Sequence, residues 1–304
     1  RSLGEGEFGI EIMNTVYGEI PYDRLDLWRR FCNYYYNCLR DVDRHMMKLI
    51  HSLEDTGQID NTIIFMISDH GEMLGQQGAR GKIVSWEESI RVPTLVYHPD
   101  LKDKKLCNSV ISNIDIVPTL LEFTGLSKSE LRDKHPELKG NSYAELVENV
   151  NYDNVRDKEG HLIHGVQIIP TVFEVAEKFR HTALADGFLA KTKAFMSEGK
   201  FLPDFTPPLN YKGVVDKKHK FLRFFSPRQN NIPTNYDELI KYNAEYQLYD
   251  LENDPFEMND LAKDENNRDL LMSMNDKCNT LADKEIGLEN HVIHLPGPDW
   301  FWTA

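Results

Sequence analysis

The sequence is short of most features that place a chain at a glance. Its four cysteines are Cys32, Cys38, Cys107 and Cys278. None pairs as CxxC, and no Cys/His cluster has zinc spacing. Neither a disulfide framework nor a structural zinc site is expected, and the four read as reduced, mostly buried thiols. No N-x-S/T sequon occurs. The two absences together lean toward an intracellular, cytoplasmic setting. No run of 18 or more apolar residues is present, so no membrane span is expected. Positive charge is scarce: 35 Lys and Arg stand against 49 Asp and Glu, a net charge of −14. That field repels phosphate backbones and anionic lipid. Nucleic acid and membrane are therefore not expected partners, and an anionic substrate needs a local positive pocket. There is no internal repeat and no low-complexity tract. The chain opens RSLGEGEFG, without methionine or a signal peptide, and a fragment or processed product is expected.

What is present is ordinary globular material, with 40% hydrophobic and 28% charged residues. Residues 22–56 place Leu25, Trp28, Phe31, Tyr35, Cys38, Leu39, Val42, Met46 and Leu49 at helical spacing. Tyr34-Tyr35-Tyr36 widens that stripe, which predicts a helix buried on two sides, with Gly57 as its cap. Residues 62–67 form a continuous, β-branched-rich apolar run, and residues 92–97 repeat it. The pattern fits parallel strands covered on both faces by helices. Residues 114–123 predict a helix with Pro118 in its first turn and Gly125 beyond its end. The alternation implies an α/β layer structure.

The texture changes near Gly140-Asn141-Ser142. A helix is expected at 172–179, a proline-rich loop at Pro203, Pro207 and Pro208, short strands at 220–225 and 247–250, a turn at Asp254-Pro255 and a helix over 267–285. Two units follow, a first over residues 1–150 and a smaller α+β unit over 151–304. The tail Trp300-Phe301-Trp302 is too apolar to lie in water. It is read as clasping a neighbouring subunit in a homo-oligomer.

The chemistry concentrates in TIIFMISDHGEMLGQQGARGK, residues 62–82. In open α/β sheets ligands bind where strands end and loops diverge. Asp69 and His70 stand at such an end, and a carboxylate with a neutral imidazole suits a divalent cation. Two ligands are too few, so one or two further carboxylates are needed. Gly71, Gly75, Gly78 and Gly81 allow close backbone approach, and Lys82 can offer a point charge to an oxyanion. On spacing alone, Asp-His as a turn cap with Lys82 as a solvated charge is the commoner arrangement. His161, His164 and His181 lie in the middle of the chain; surface or packing roles are their ordinary reading and contact with a substrate pocket the alternative, while His219 reads as structural.

SDHGEMLGQQGARGK followed by WEESIRVPTLVYHPD resembles the second half of the sulfatase family in the alkaline-phosphatase-like superfamily. Asn113-Ile114-Asp115-Ile116-Val117-Pro118-Thr119-Leu120, Leu138-Lys139-Gly140-Asn141-Ser142, Lys220-Phe221-Leu222-Arg223-Phe224 and Leu248-Tyr249-Asp250-Leu251-Glu252-Asn253-Asp254-Pro255 continue the resemblance in order. It implies a parallel-rich sheet between helices, then a small α+β subdomain with a short antiparallel sheet. It implies Asp69 and His70 as metal ligands, one divalent ion (Ca, Mn, Mg or Zn), and Lys82 as the contact to the transferred group. The reaction implied is hydrolysis of a small anionic ester. A sulfate ester leads; a phosphonate or phosphate ester is the alternative, because Asp-His resembles that branch too. Gln77 stands where the family often has histidine, and with His164 and His181 it is a candidate substrate contact.

Two departures accompany the resemblance. The family's formylglycine nucleophile arises from C/S-x-P-x-R, and no such motif exists here: no cysteine has proline two positions on, and Ser226-Pro227-Arg228 is misspaced. The family's N-terminal aspartate pair is also missing. The expectation is a C-terminal half, alone inactive, whose N-terminal counterpart comes from the same precursor or a separate chain. A sulfatase-like half kept for assembly or binding is the non-enzymatic alternative.

Overall fold

The computed structural model describes residue 14 and residues 18–82, 84–101, 104–166, 210–225, 232–242 and 245–287. The helix expected at 172–179, the proline-rich loop, His181 and the aromatic tail lie outside the described residues.

Helix α1 (Leu25–Asp55) opens the fold. Thr56 ends it, and Gly57 follows with φ 68°. Its first turns cover the loop after the first strand: the Trp28 ring lies against Gly75, the Arg80 guanidinium is 5.8 Å from the Phe31 ring centroid, and Cys32 Sγ donates to Leu74 O. No residue of α1 is buried. Tyr34 is 71% and Leu49 69% exposed. Burial on two sides is thus corrected: nothing among the described residues packs on the outer face of α1, so its aromatic width remains uncovered.

Strands β1 (Ile64–Met66) and β2 (Leu95–Tyr97) pair with each other antiparallel, Ile64 opposite Tyr97 and Met66 opposite Leu95. The sequence reading made both parallel and covered, and both points are corrected. A continuous apolar run reports how much of a strand wants burial; it carries no information on direction. Leu95 is 58% exposed while β1 is half-buried, so the pair has the composition of an interior sheet with only partial cover. Between the strands lies the short helix α2 (Glu87–Ile90). A 3-10 turn at Asn113–Asp115 leads into α3 (Ile116–Phe123), with Pro118 inside the first turn and Gly125 at φ 98° beyond the end, as predicted. Phe65 meets Phe123 and Tyr143 at ring distances of 6.3 and 6.4 Å, docking α3 on β1. Short helices α4 (Lys128–Lys134), α5 (Ala144–Glu148) and α6 (Val155–Glu159) follow.

A four-stranded antiparallel sheet comes next, in the order β3 (His161–Val166), β4 (Asn210–Val215), β5 (His219–Phe225) and β6 (Glu245–Asp250). Strands β5 and β6 match the expectation; β3 and β4 were not foreseen. Helix α7 (Tyr236–Tyr242) precedes β6, and α8 (Arg268–Glu285) closes the described chain. One sheet face packs Val214, Phe221 and Leu248 on Leu271, Met274, Cys278 and Leu281 of α8. The other packs Ile163, Tyr211, Val215, Leu222 and Phe224, with Ile90 of α2 against them. Burying each such side chain contributes roughly 1.5–3 kcal/mol.

Buried ion pairs join the first part of the chain to this sheet. Asp115 accepts two bonds of 2.6 Å from Arg156, and the amides of Ser112 and Asn141 add 2.9 and 2.7 Å. Arg156 Nη1 also reaches Glu285 of α8 at 3.2 Å. The thiols differ from expectation as well: only Cys278 is buried, while Cys38 and Cys107 are exposed. Cys38 lies on the uncovered helix α1, where its apolar spacing finds no neighbour to pack on.

Candidate active site

β1 ends at Met66, and Ser68 begins the turn that follows. Ser68 Oγ donates to His70 O at 2.9 Å, and Asn113 Nδ2, at the start of the α3 turn, donates to Ser68 O at 2.9 Å. His70 N donates to Asp69 Oδ1 at 2.9 Å. That bond comes first among the causes holding the Asp69 carboxyl below its ordinary range, ahead of the charges of His70 and Lys82. The Asp69 side chain is 81% exposed, so the site is open on this side.

The imidazole is fixed by its other nitrogen. His70 Nδ1 lies 2.8 Å from Gly71 O. A carbonyl can only accept, so Nδ1 carries the proton and neutral His70 has a bare Nε2. Nε2 in turn lies 3.2 Å from Asp69 Oδ2. With Nε2 bare, the two face each other as acceptors and need a donor or cation beside them. In the structure Lys82 Nζ meets that need, bonded to His70 Nε2. The three groups singled out in the sequence are brought together.

The loop that carries Lys82 has a small core of its own, Met73, Ala79, Val84 and Trp86. Glu72 Oε1 accepts from Gly81 N at 2.6 Å and closes the loop at its neck, and Met73 N donates to Gly81 O at 3.0 Å. Glu72 lies within the quoted motif, yet its structural part was not foreseen. Gly71 N donates to Ser89 O at 2.7 Å, binding the site to α2. Leu74 and Gln77 adopt left-handed conformations, φ 47° and 52°. Such backbone costs a non-glycine residue on the order of 1 kcal/mol.

The remaining candidates lie elsewhere. Gln77 Nε2 donates to Phe256 O at 2.9 Å and touches Met258 Sδ at 3.4 Å, on the far part of the chain. His164 sits on β3 opposite Lys212. Crowding by surrounding protein, then the Lys212 ammonium, hold it down to about 4. His219 Nδ1 lies 3.9 Å from Asp216, in a structural turn. His161 is also pushed down, by burial first. Among the described residues, no hydrogen bond or ion pair joins these histidines to Asp69, His70 or Lys82. Among the described residues no group of three or more His, Cys, Asp or Glu side chains is placed to hold a metal. Asp69 and His70 therefore have the chemistry of a divalent-cation site but only part of its ligand set.

The sulfatase family model matches residues 11–126, the stretch that carries this site. An arylsulfatase of Clostridium perfringens is 33% identical over 121 residues, 38% of this chain and 24% of that protein. A choline-sulfatase of Rhizobium meliloti is 36% identical over 104 residues, 34% of this chain and 20% of that one. Residues 11–126 of this chain are similar to the sulfatase family. The match spans only a quarter or less of the length of these curated relatives. Among solved structures, the yidJ protein of Bacteroides fragilis shares the fold at a TM-score of 0.62 and 20% identity, covering 95% of this chain and 50% of that one. A phosphonate monoester hydrolase of Agrobacterium radiobacter gives 0.56 and 21%, covering 83% of this chain and 41% of that one. The likeness in fold covers nearly the whole chain, although the family model stops at residue 126.

Proposed function

We propose that this sulfatase-like chain carries the cationic half of a site that hydrolyses a sulfate ester. The observation that carries the reading is the convergence of Asp69 Oδ2, His70 Nε2 and Lys82 Nζ at the end of β1. Asp69 and His70 would hold a divalent ion, calcium, manganese, magnesium or zinc, which when bound supplies positive charge to the substrate anion. The Lys82 ammonium binds the anionic group and stabilises charge on its outer oxygens as the ester bond breaks. The Gly71 carbonyl keeps the His70 proton on Nδ1, so Nε2 stays a lone-pair donor. The nucleophile and further metal ligands come from polypeptide other than these residues. In this reading that polypeptide also covers the outer face of α1 and the β1–β2 pair and brings the parallel strands of the family's sheet.

A phosphonate monoester or a phosphodiester is the second reading, supported by Asp-His at 69–70 and by the fold shared with a phosphonate monoester hydrolase. The site chemistry is nearly the same for both. Elemental analysis of the protein, assembled with its complementing half, tests the metal arm. Wild type retains about one divalent ion per site, and Asp69→Ala loses most of it. Unchanged metal content in Asp69→Ala removes Asp69 from the ligand set. Turnover of aryl sulfates against phosphonate monoesters by the same assembly then chooses between the two substrates.

A further inference from the structure

We infer that the turn at residues 254–258, far along the chain from the site, positions the loop that carries His70 and Lys82. The inference rests on reading Asp69, His70 and Lys82 as the reactive site. Its geometry is independent of any metal.

Glu257 is the centre of the device. Its side chain is fully buried, and it makes one hydrogen bond and one ion pair. Oε2 accepts from the Glu87 amide at 2.7 Å, and Oε1 pairs with Lys220 Nζ at 2.7 Å. Glu87 N is the first amide of α2 and has no partner within that helix, so a carboxylate 170 positions away satisfies it. Lys220, itself 0% exposed, also reaches Glu87 Oε1 at 3.3 Å. A buried ammonium is thus shared by one carboxylate from the site loop and one from the turn. Removing one partner of such a group leaves an uncompensated charge.

The turn is built to hold that carboxylate in place. Asp254 Oδ1 and Oδ2 accept from the amides of Met258 and Asn259 at 3.1 and 2.7 Å. Glu257 itself is left-handed, φ 54°. A non-glycine residue keeps such a conformation only where its surroundings over-determine it. The same turn grips the loop a second time, since Phe256 O accepts from Gln77, also left-handed. Lys82 lies between the two grips, at 77 and 87. The grip at Glu87 continues into the site: α2 offers Ser89 O to Gly71 N at 2.7 Å, and Gly71 O holds His70 Nδ1.

The test is amide hydrogen exchange on the full chain, read by peptide, for wild type, Glu257→Ala, Glu257→Gln and Gln77→Gly. Losing a bond to a charged acceptor opens the bonded amide by roughly tenfold or more. Glu257→Ala should therefore speed exchange in peptides covering 68–90 by that factor, with β4, β5 and α8 unchanged. Glu257→Gln keeps an oxygen for the Glu87 amide and should recover most of the protection. Gln77→Gly relieves a strained residue and removes the other grip, so it should speed exchange at 73–81 without lowering the melting temperature. Uniform acceleration through β4 and β5 in Glu257→Ala would reduce Glu257 to a general stabiliser and overturn the inference. So would unchanged protection at 68–90, or a Gln variant as fast as the Ala variant. If Glu257→Ala does not fold, Glu257→Gln and Gln77→Gly decide: protection at 73–81 untouched by Gln77→Gly overturns it. A selective exchange response alongside unchanged metal content in Asp69→Ala would leave the positioning role standing and sink the metal reading alone.

Discussion

A methyl group at Gly71 would lie 2.0 Å from Glu88 O and 3.3 Å from Arg91 O. Both are backbone atoms, so neither can swing away, and the strand end must part from α2. Gly71→Ala should cost on the order of 1–3 kcal/mol and break the Gly71–Ser89 bond that steadies His70. Thermal melting checks the first effect, and the NMR signals of the His70 ring check the second; a variant with wild-type melting and ring shifts would refute the packing argument. At this scale much of the site was legible. Asp69, His70 and Lys82 could be named because an oily strand run gives way to charged residues within a few positions, and local sequence brings them close. Gln77 was legible only as an oddity. Its partners, Phe256 and Met258, are about 180 positions away, and no local pattern records such a meeting.

Among elements, the turn between β4 and β5 shows how charge holds the antiparallel sheet. Burial works against ionising Asp216, but bonds from Lys277 of α8 at 2.5 Å and from the amides of Lys218 and His219, both 2.9 Å, outweigh it. The folded carboxyl therefore titrates below its ordinary value. A depressed acid stabilises the fold above its unfolded pKa, and that stability is lost as pH falls through the folded one. Asp216→Asn should lower stability near neutrality by roughly 1–3 kcal/mol and flatten the acid limb of melting temperature against pH. Parallel curves for the two proteins would refute it. Strands β5 and β6 could be read from their aromatic and aliphatic runs. Strands β3 and β4 could not: HLIHGV and NYKGVV are interrupted by histidine, lysine and glycine. Gly165 is required there because the Tyr211 ring crosses where its side chain would stand. Their pairing is non-local, across 43 residues between Val166 and Asn210.

For the whole molecule, the decisive feature is an apolar surface without cover. Leu25, Leu39, Val42 and Leu49 on α1, and Leu95 and Tyr97 on β2, are all exposed. Exposed apolar side chains in this number mark an interface or an aggregation hazard. Expressed alone, residues 1–304 should self-associate and turn over no sulfate or phosphonate ester. Co-expression with a sulfatase N-terminal half bearing C/S-x-P-x-R should restore a monodisperse species. Sedimentation and activity assays check both; a monodisperse lone chain with one cooperative melting transition would refute the uncovered-face argument.

The sequence by itself determined the likeness to sulfatases over residues 11–126, the helical spans of α1, α3 and α8, the strands β5 and β6, and the three polar groups at the end of β1. These depend on periodicity, on caps and on residues close in the chain. Only the tertiary structure decided that β1 and β2 run antiparallel, that α1 lies open, and that Glu257 and Lys220 reach the site loop. Strand direction and long-range ion pairs depend on which distant segments meet, and hydrophobic patterning specifies how much surface to bury without naming the partner that buries it.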